Sequence, residues 1–495
     1  MLDIFKPQNV RALEVKYELV PYTKGVVLDL GCGPWKTYPH FIGIDLCQNW
    51  PPHIPWRPDI VADCRSLSMF AGQSVDAVFS SHLLNELDDR AAVLKEWWRV
   101  IKPGGHLVLY LPYGDLSEKG VVHSMEAIPG GWDLVVNEVK PDHNSFLQVY
   151  RKRSDKAKRY PYRDLKPEKM CAVVRYGGAG DMIQTSSVLP ELKKQGYHVT
   201  LYTSEGGYEV IKADPHVDEF VVQQREQVPN RELGEYWGVL KGKYTKFVNL
   251  SESVEGSLLA MEGRTIFAWP HGARHKVLNF NYLEIMHDIA EVPFQIHTRF
   301  YATKQEIKWA KRQRKMPYNL LWVLSGSSVH KAWPYMDQII ARLLIERNDV
   351  AIVLSGDELS QMLETGWENE PRVIKTSGKW SMRQTMAFGC HAADLVIGPE
   401  TGVLNAVSML DIPKIICLSH SSVENLTRDW VNTISLTPEG CTCYPCHRMQ
   451  HGFTHCSRDE ETGVAECQAK ITPEAVWDAI ERSFKWHRPA LQIIR

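Results

Sequence analysis

No stretch of the 495 residues approaches the run of about 18 apolar side chains that a membrane-spanning helix needs, so no transmembrane segment is expected. The opening MLDIFKPQNVRALEVKYE is too polar and too charged for a signal peptide, which makes the cytoplasm the expected location. Neither sign of charge is in excess: 57 Lys and Arg stand against 59 Asp and Glu, a formal net charge of −2. That balance excludes a chain-wide basic coat for nucleic acid and leaves room for a local patch. Repeats and low-complexity tracts are absent. The cysteines do not form a disulfide framework: six of the 11 are scattered singly, and the other five fall between Cys441 and Cys467, marking a local site.

What is present is an ordinary globular composition, 44% hydrophobic and 23% charged. At roughly 100–200 residues per domain the length predicts about three domains. Residues 26–30, 41–46, 75–80 and 106–111 read as short buried strands, with a helix over 89–101 and a β-hairpin of 132–138 and 145–150. Such alternation predicts a mostly parallel, doubly wound sheet. Residues 151–169 carry nine basic and three acidic side chains. They read either as a solvated linker or as a strip that contacts a polyanion. A second alternation runs through 171–175, 198–203, 218–222 and 246–250; a charged helix over 303–316 precedes a third, through 319–324, 350–355, 394–397 and 413–418. The expected fold class is therefore α/β with three Rossmann-like units, bounded at 1–153, a linker at 154–169, 170–302 and 303–495.

Two stretches carry chemistry. In LDLGCGP, over 28–34, a strand runs into Gly31-x-Gly33, where missing side chains let the backbone approach a ligand. A second strand ends in Asp45, whose carboxylate can take both hydroxyls of a ribose; Asp63 closes DIVAD, where it could face an adenine amino group. VDAVFSSHLLNEL and EWWRVIKPGGHLVLYLP follow. This series resembles the class I S-adenosylmethionine-dependent methyltransferases of the type 11 style, over about residues 20–153. The resemblance implies that S-adenosylmethionine is held by Asp29, Gly31, Gly33, Asp45, Asp63 and His82. Two features depart from it. Only eleven residues separate Gly33 from Asp45, which leaves a loop where the first helix usually lies, and Asn85-Glu86-Leu87 stands where many members carry a Glu-His pair. A degenerate Rossmann domain is the bland alternative; NAD binding is a further one, disfavoured because Lys36 breaks a GxGxxG pattern.

The second stretch opens with CAVVRYGGAGD at 171–181, a strand feeding Gly177, Gly178 and Gly180, with Asp181 at the start of a helix. Asp181 reads as a helix cap or as a base at the carboxyl edge of a sheet. WVLSGSSVHKAWP, over 322–334, places Lys331 after another strand end, and GPETG, over 398–402, enters a helix where backbone N–H groups suit a diphosphate. Taken singly, Lys331 is a surface lysine and GPETG a turn. Together they resemble glycosyltransferase family 9, the ADP-heptose:lipopolysaccharide heptosyltransferase family, over about 170–485. That resemblance implies a GT-B fold of two facing Rossmann domains, with Asp181 as the base. It places Gly177, Gly178 and Gly180 on the acceptor side, and Ser325, Lys331, Glu400, Thr401, Gly402 and Asn405 at the donor, with Asp357 or Glu358 as a donor-side carboxylate. Glu400 stands in for the usual Asp and Asn405 for the usual His, which leaves the sugar and its carrier open. Glu252 and Glu255 are the carboxylates to turn to should Asp181 only cap.

The cysteine loop 441–467 leaves several chemistries open: a structural Zn²⁺ on Cys443, Cys446, Cys456 and Cys467, a haem attachment at CYPCH, a dithiol redox pair, or plain packing by small thiols. The favoured reading is a bifunctional glycan-modifying transferase: inverting glycosyl transfer from a nucleotide sugar, heptose-like and ADP-linked in the family, to an acceptor hydroxyl, plus methyl transfer. Two alternatives stand beside it. One is a viral-type enzyme that glycosylates or methylates DNA bases, which the basic linker and 16 Trp allow and the balanced charge does not encourage. The other is a structural protein that reuses both folds without catalysis.

Overall fold

The computed structural model describes residues 11–47, 57–114, 116–156, 158–159, 168–251, 253 and 258–484. The chain forms two compact units. The first comprises the residues up to 168 together with 221–243, and the second the remainder.

The first unit is built on an eight-stranded sheet. Its strands are β1 (Val27–Leu30), β2 (Ile42–Asp45), β3 (Ile60–Val61), β4 (Val75–Ser81), β5 (Ile101–Pro112), β6 (Trp132–Lys140), β7 (Ser145–Lys152) and β8 (Lys158–Arg159), in the order β3-β2-β1-β4-β5-β7-β6-β8. Strands β1 to β5 pair in parallel, and β7 runs antiparallel to both β5 and β6, so the expected hairpin is present. The four residues of β1 are all buried, as a strand covered on both faces must be. The helix Arg90–Val100 starts where Asp89, at a left-handed φ of 46°, accepts the N–H of Ala92 (3.2 Å). It buries Val93, Leu94, Trp97 and Trp98 against the sheet, and Trp97 Nε1 donates to the Cys64 carbonyl (2.7 Å), so the indole is buried without an orphaned donor. The basic stretch that begins at Arg151 starts inside β7: Arg151 and Arg153 pair with Asp133, and Lys152 donates to the carbonyls of Trp98 and Ile101. Most of the expected linker, residue 157 and residues 160–167, lies outside the described residues.

Residues 221–243, which the sequence places within the 170–302 block, pack with this first unit. Lys16 meets Glu232 (2.6 Å), Lys243 meets Glu18 (2.8 Å), and the buried Gln227 amide donates to the carbonyls of Val20 and Thr23.

The second unit contains two parallel sheets. One has the order β11-β10-β9-β12, from β9 (Met170–Arg175), β10 (His198–Ser204), β12 (Lys246–Asn249) and β11 (Glu219–Gln223), whose last three residues belong to the 221–243 segment. The other comprises β13 (Tyr318–Val323), β14 (Val350–Ser355), β15 (Val373–Lys375), β16 (Leu395–Pro399), β17 (Lys414–Cys417) and β18 (Thr433–Leu436), in the order β15-β14-β13-β16-β17-β18. The latter order reverses between β13 and β16, and open α/β sheets bind ligands outside the strand carboxyl ends at such a switch point. The former reverses between β9 and β12 in the same way. Both are Rossmann-type sheets, and the three-sheet α/β class is as expected. The strands at the two edges of the six-stranded sheet, β15 and β18, were not read from the sequence.

Candidate active site

The second unit holds a cavity of about 830 Å³ lined from both of its sheets. The loop after β9 supplies Gly178, Gly180 and Asp181; the other sheet supplies Ser325, Gly326 and Lys331 after β13, Asp357 and Glu358 after β14, Glu400, Thr401, Gly402 and Asn405 after β16, and His420 and Ser421 after β17. Every donor-side residue expected from the sequence is on this wall, and Asp181 is on the other. Of the three acceptor-side glycines, Gly177 alone is not part of the lining. Glu252 and Glu255 lie outside the described residues.

Asp181 sits in the first turn of the helix Ala179–Thr185. Its Oδ2 accepts the N–H of Gly178 (2.8 Å) and its Oδ1 pairs with Arg175 Nη2 (2.9 Å). Arg175 is wholly buried at the end of β9, and its other terminal nitrogen donates to the carbonyls of Leu250 and Ser251. So Asp181 does cap, and it also carries the counter-charge of a buried guanidinium. Asn caps a helix about as well as Asp, which from sequence alone makes Asp181→Asn stability-neutral; with Arg175 beneath it, the exchange removes a charge partner and must cost stability.

Lys331 is only 6% exposed, and its ammonium makes no hydrogen bond or ion pair among the described residues. Burial holds its pKa below the ordinary lysine range, while the charges of Glu400 and Asp181 pull it back up. A side chain at Gly326 would place its Cβ 2.6 Å from Lys331 Cδ, so glycine is what lets the lysine stem lie across this strand end. Thr401 Oγ1 is likewise buried without a partner. An unpaired cation and an unpaired hydroxyl in one cavity wall are costly unless a ligand completes them.

Glu400 is not free in this sense. Its Oε1 accepts the N–H groups of Ser419 (2.7 Å) and Ser421 (3.1 Å), and its Oε2 is in ion-pair contact with His420 Nδ1. Burial alone would raise its pKa, but His420, Lys331 and the Ser419 N–H outweigh burial and hold it near about 2. Asn405 spends its amide on Gln184 Nε2 (3.2 Å) and the Thr401 carbonyl (3.0 Å). Asp357 accepts from the Ser360 backbone and hydroxyl, and Ser360 Oγ meets Ser325 Oγ (2.7 Å). The sequence reading missed His420; its position after a strand of a doubly wound sheet is the one signal that could have pointed to it.

In the first unit, no helix intervenes between β1 and β2, as the spacing predicted. Gly31 and Gly33 have φ of 71° and 60°, a left-handed conformation that side chains resist. Asp45 Oδ2 accepts the N–H of Gly33 (3.0 Å), which brings the strand-ending acid onto the glycine loop, and Oδ1 accepts from Cys47 (3.0 Å). Asp29 is buried and accepts the N–H of Thr37 (2.8 Å); burial raises its pKa to about 6 against the pull of that bond. Asp63 is turned instead onto Arg65, whose guanidinium covers both carboxylate oxygens. His82 follows β4 at a φ of 54°, between the hydroxyls of Ser81 (3.2 Å) and Ser145 (3.3 Å).

The five thiols of residues 441–467 are all unpaired. Cys441 Sγ lies 3.6 Å from Cys443 Sγ, but Cys446 and Cys456 turn to the carbonyls of Arg448 and Ser457. No group of three or more Cys, His, Asp or Glu side chains among the described residues is arranged to hold a metal ion, so the zinc expectation gains no support. Among the same residues no helix is long and apolar enough to cross a membrane.

Comparison with known proteins gives two kinds of match. No curated protein matches the chain by sequence. Among solved structures, it is similar to ADP-heptose LPS heptosyltransferase II of E. coli (12% identity, 64% of this chain and 99% of that one, TM-score 0.45). It is also similar to a family 9 glycosyl transferase of Veillonella parvula (15%, 65% and 98%, 0.47) and to the E. coli heptosyltransferase WaaC with ADP (13%, 64% and 98%, 0.40). Residues 28–109 match the family model described as a methyltransferase domain, and the first unit carries that domain.

Proposed function

We propose that the second unit transfers a glycosyl group from a nucleotide sugar to an acceptor hydroxyl with inversion, and that the first methylates a hydroxyl of the same glycan or its acceptor. One observation carries the first half: a single cavity brings together the carboxylate of Asp181 and the largely buried Lys331, whose ammonium has no partner among the described residues. Its volume falls in the range that holds small ligands. Inverting transfer needs these two charges on opposite sides of the sugar. Arg175 and the Gly178 N–H fix Asp181, whose carboxylate takes the proton of the attacking hydroxyl. The acceptor oxygen bonds to the anomeric carbon as the bond to the diphosphate breaks, and Lys331, already in place, stabilises the departing charge. A heptose, carried on ADP, is the donor that the family 9 resemblance favours.

In the first unit the residues fit S-adenosylmethionine. A side chain at Gly33 would stand in open space, and the left-handed Gly31–Gly33 loop with Asp45 beside it forms a cradle with a ribose-binding carboxylate at its edge. Bound there, the cofactor supplies an electrophilic methyl group. Asp45 would hold the ribose, Asp29 would keep the loop in shape through Thr37, and Asp63 would have to exchange Arg65 for the adenine amino group.

Native mass spectrometry of the full chain against S-adenosylmethionine and a panel of nucleotide sugars tests both halves. A 1:1 adduct with the cofactor and with at least one nucleotide sugar is expected. Absence of either removes the corresponding half.

A further inference from the structure

The cavity contains an imidazole that no motif announced. His420 is 5% exposed and lines the wall with Lys331, Thr401 and Ser421. Its Nδ1 rests on Glu400, and Glu400 in turn is clamped by two backbone N–H groups of the loop that carries His420. The carboxylate therefore serves the loop rather than a ligand. Behind it, the buried His330 packs against the ring with centroids 5.2 Å apart and Nε2 3.3 Å from His420 Nδ1, which stops the imidazole from swinging inward. A carboxylate on Nδ1 fixes that nitrogen as the donor. The atom left without a protein partner among the described residues is Nε2.

We propose that His420, oriented by Glu400, contacts the leaving diphosphate of the donor through Nε2–H. This rests on the glycosyl-transfer reading above. As the bond from the anomeric carbon to the phosphate oxygen breaks, its electron pair stays on that oxygen. The acceptor oxygen supplies the new bond to carbon and its proton passes to Asp181. The ring lies between the Glu400 carboxylate on one side and the place of the diphosphate on the other. Lys331 covers the diphosphate as a point charge, and His420 adds a directed hydrogen bond that strengthens as charge develops. Glu400 acts as a positioning residue, and its reach into the 419–421 loop is the use this chain makes of a longer carboxylate.

Two substitutions separate contact from support, because an Asn amide nitrogen falls near the place of Nδ1 and a Gln amide nitrogen near that of Nε2. Calorimetry of the full chain with ADP, UDP and GDP compares wild type with His420→Asn, His420→Gln and Lys331→Met. At least one nucleotide is expected to bind the wild type. His420→Asn, which keeps the bond to Glu400, should weaken it roughly tenfold or more, and His420→Gln should retain clearly more affinity than Asn. Unchanged binding by His420→Asn, with loss in Lys331→Met, overturns the role of His420 and leaves the donor site standing. If Gln loses as much as Asn, the ring only supports the loop and the proposal falls. If the wild type binds none of the three, the donor reading falls and takes this one with it. A measurement on the wild type avoids any question of folding: the ¹⁵N shift of His420 Nε2 should move when the nucleotide is added, and a static shift contradicts the contact.

Discussion

Lys331→Met should make the second unit more stable and worse at binding. Met keeps the unbranched stem that lies across Gly326 and removes the charge. Burying an ammonium costs several kcal/mol, and Glu400 and Asp181 return only part of it, because neither reaches bonding distance and both already have partners, His420 and Arg175. Replacing such a buried charge by an apolar side chain of similar volume is neutral to stabilising, by about 1–4 kcal/mol in known cases, and a gain toward the low end is expected here. The pH dependence has a definite sign. Burial depresses the folded-state pKa of Lys331, so the folded state gives up this proton before the unfolded chain does. The penalty is present in full below the folded pKa and disappears as pH rises to the unfolded value of about 10.4. The melting temperatures of variant and wild type should therefore differ most near neutrality and converge toward pH 10. Loss of a charge-assisted phosphate contact should meanwhile cost about 1.5–3 kcal/mol of nucleoside diphosphate affinity, roughly 10- to 150-fold. Differential scanning calorimetry across pH and isothermal titration read the two effects. A variant that melts lower and binds as well as wild type would refute the reasoning, because Lys331 would then be a structural side chain.

Two further predictions concern the first unit. Asp45→Ala should weaken S-adenosylmethionine binding about tenfold or more, measured by titration, while the unit keeps its fold, because the N–H groups of Gly33 and Cys47 that it frees lie on the partly exposed loop; unchanged affinity would place the ribose elsewhere. Gly31→Ala should lower the melting temperature, at a cost of about 1–2 kcal/mol for the left-handed backbone alone, with more from a Cβ only 2.8 Å from Leu83 Cδ2.

The strand alternation was legible because buried parallel strands read as short apolar runs, and β1, β4, β9, β13, β14 and β16 fall where those runs stand. β15 and β18 are edge strands whose residues are mostly only partly buried, so they lack the apolar run that marked the buried strands. Residues 221–243 looked like part of the surrounding alternation; the paired charges Lys16–Glu232 and Glu18–Lys243 and the Gln227 bonds to Val20 and Thr23, all more than 200 residues apart, tie them to the first unit. At the site, the strand-ending positions of Asp181, Lys331 and Glu400 were visible, but their meeting in one cavity is a property of the folded sheets, and family resemblance had to stand in for it. Partner choice was invisible altogether. Nothing in the spacing of Asp63-x-Arg65 says that the arginine folds back onto the acid, and nothing in PETG says that Glu400 reaches to His420. Position 405 holds an Asn, and the imidazole in the cavity wall comes from position 420, on another loop.

The account turns on Asp181 as the base that faces Lys331 across one cavity, and the rate of Asp181→Asn per folded molecule tests this most directly. With the nucleotide sugar that binds the wild type and a hydroxyl acceptor, the variant should keep the donor affinity and lose turnover by about 10²–10⁴-fold, beside a moderate loss of stability from breaking the Arg175–Asp181 ion pair. A variant that turns over at the wild-type rate once corrected for its folded fraction would contradict the account and return Asp181 to capping and charge pairing alone.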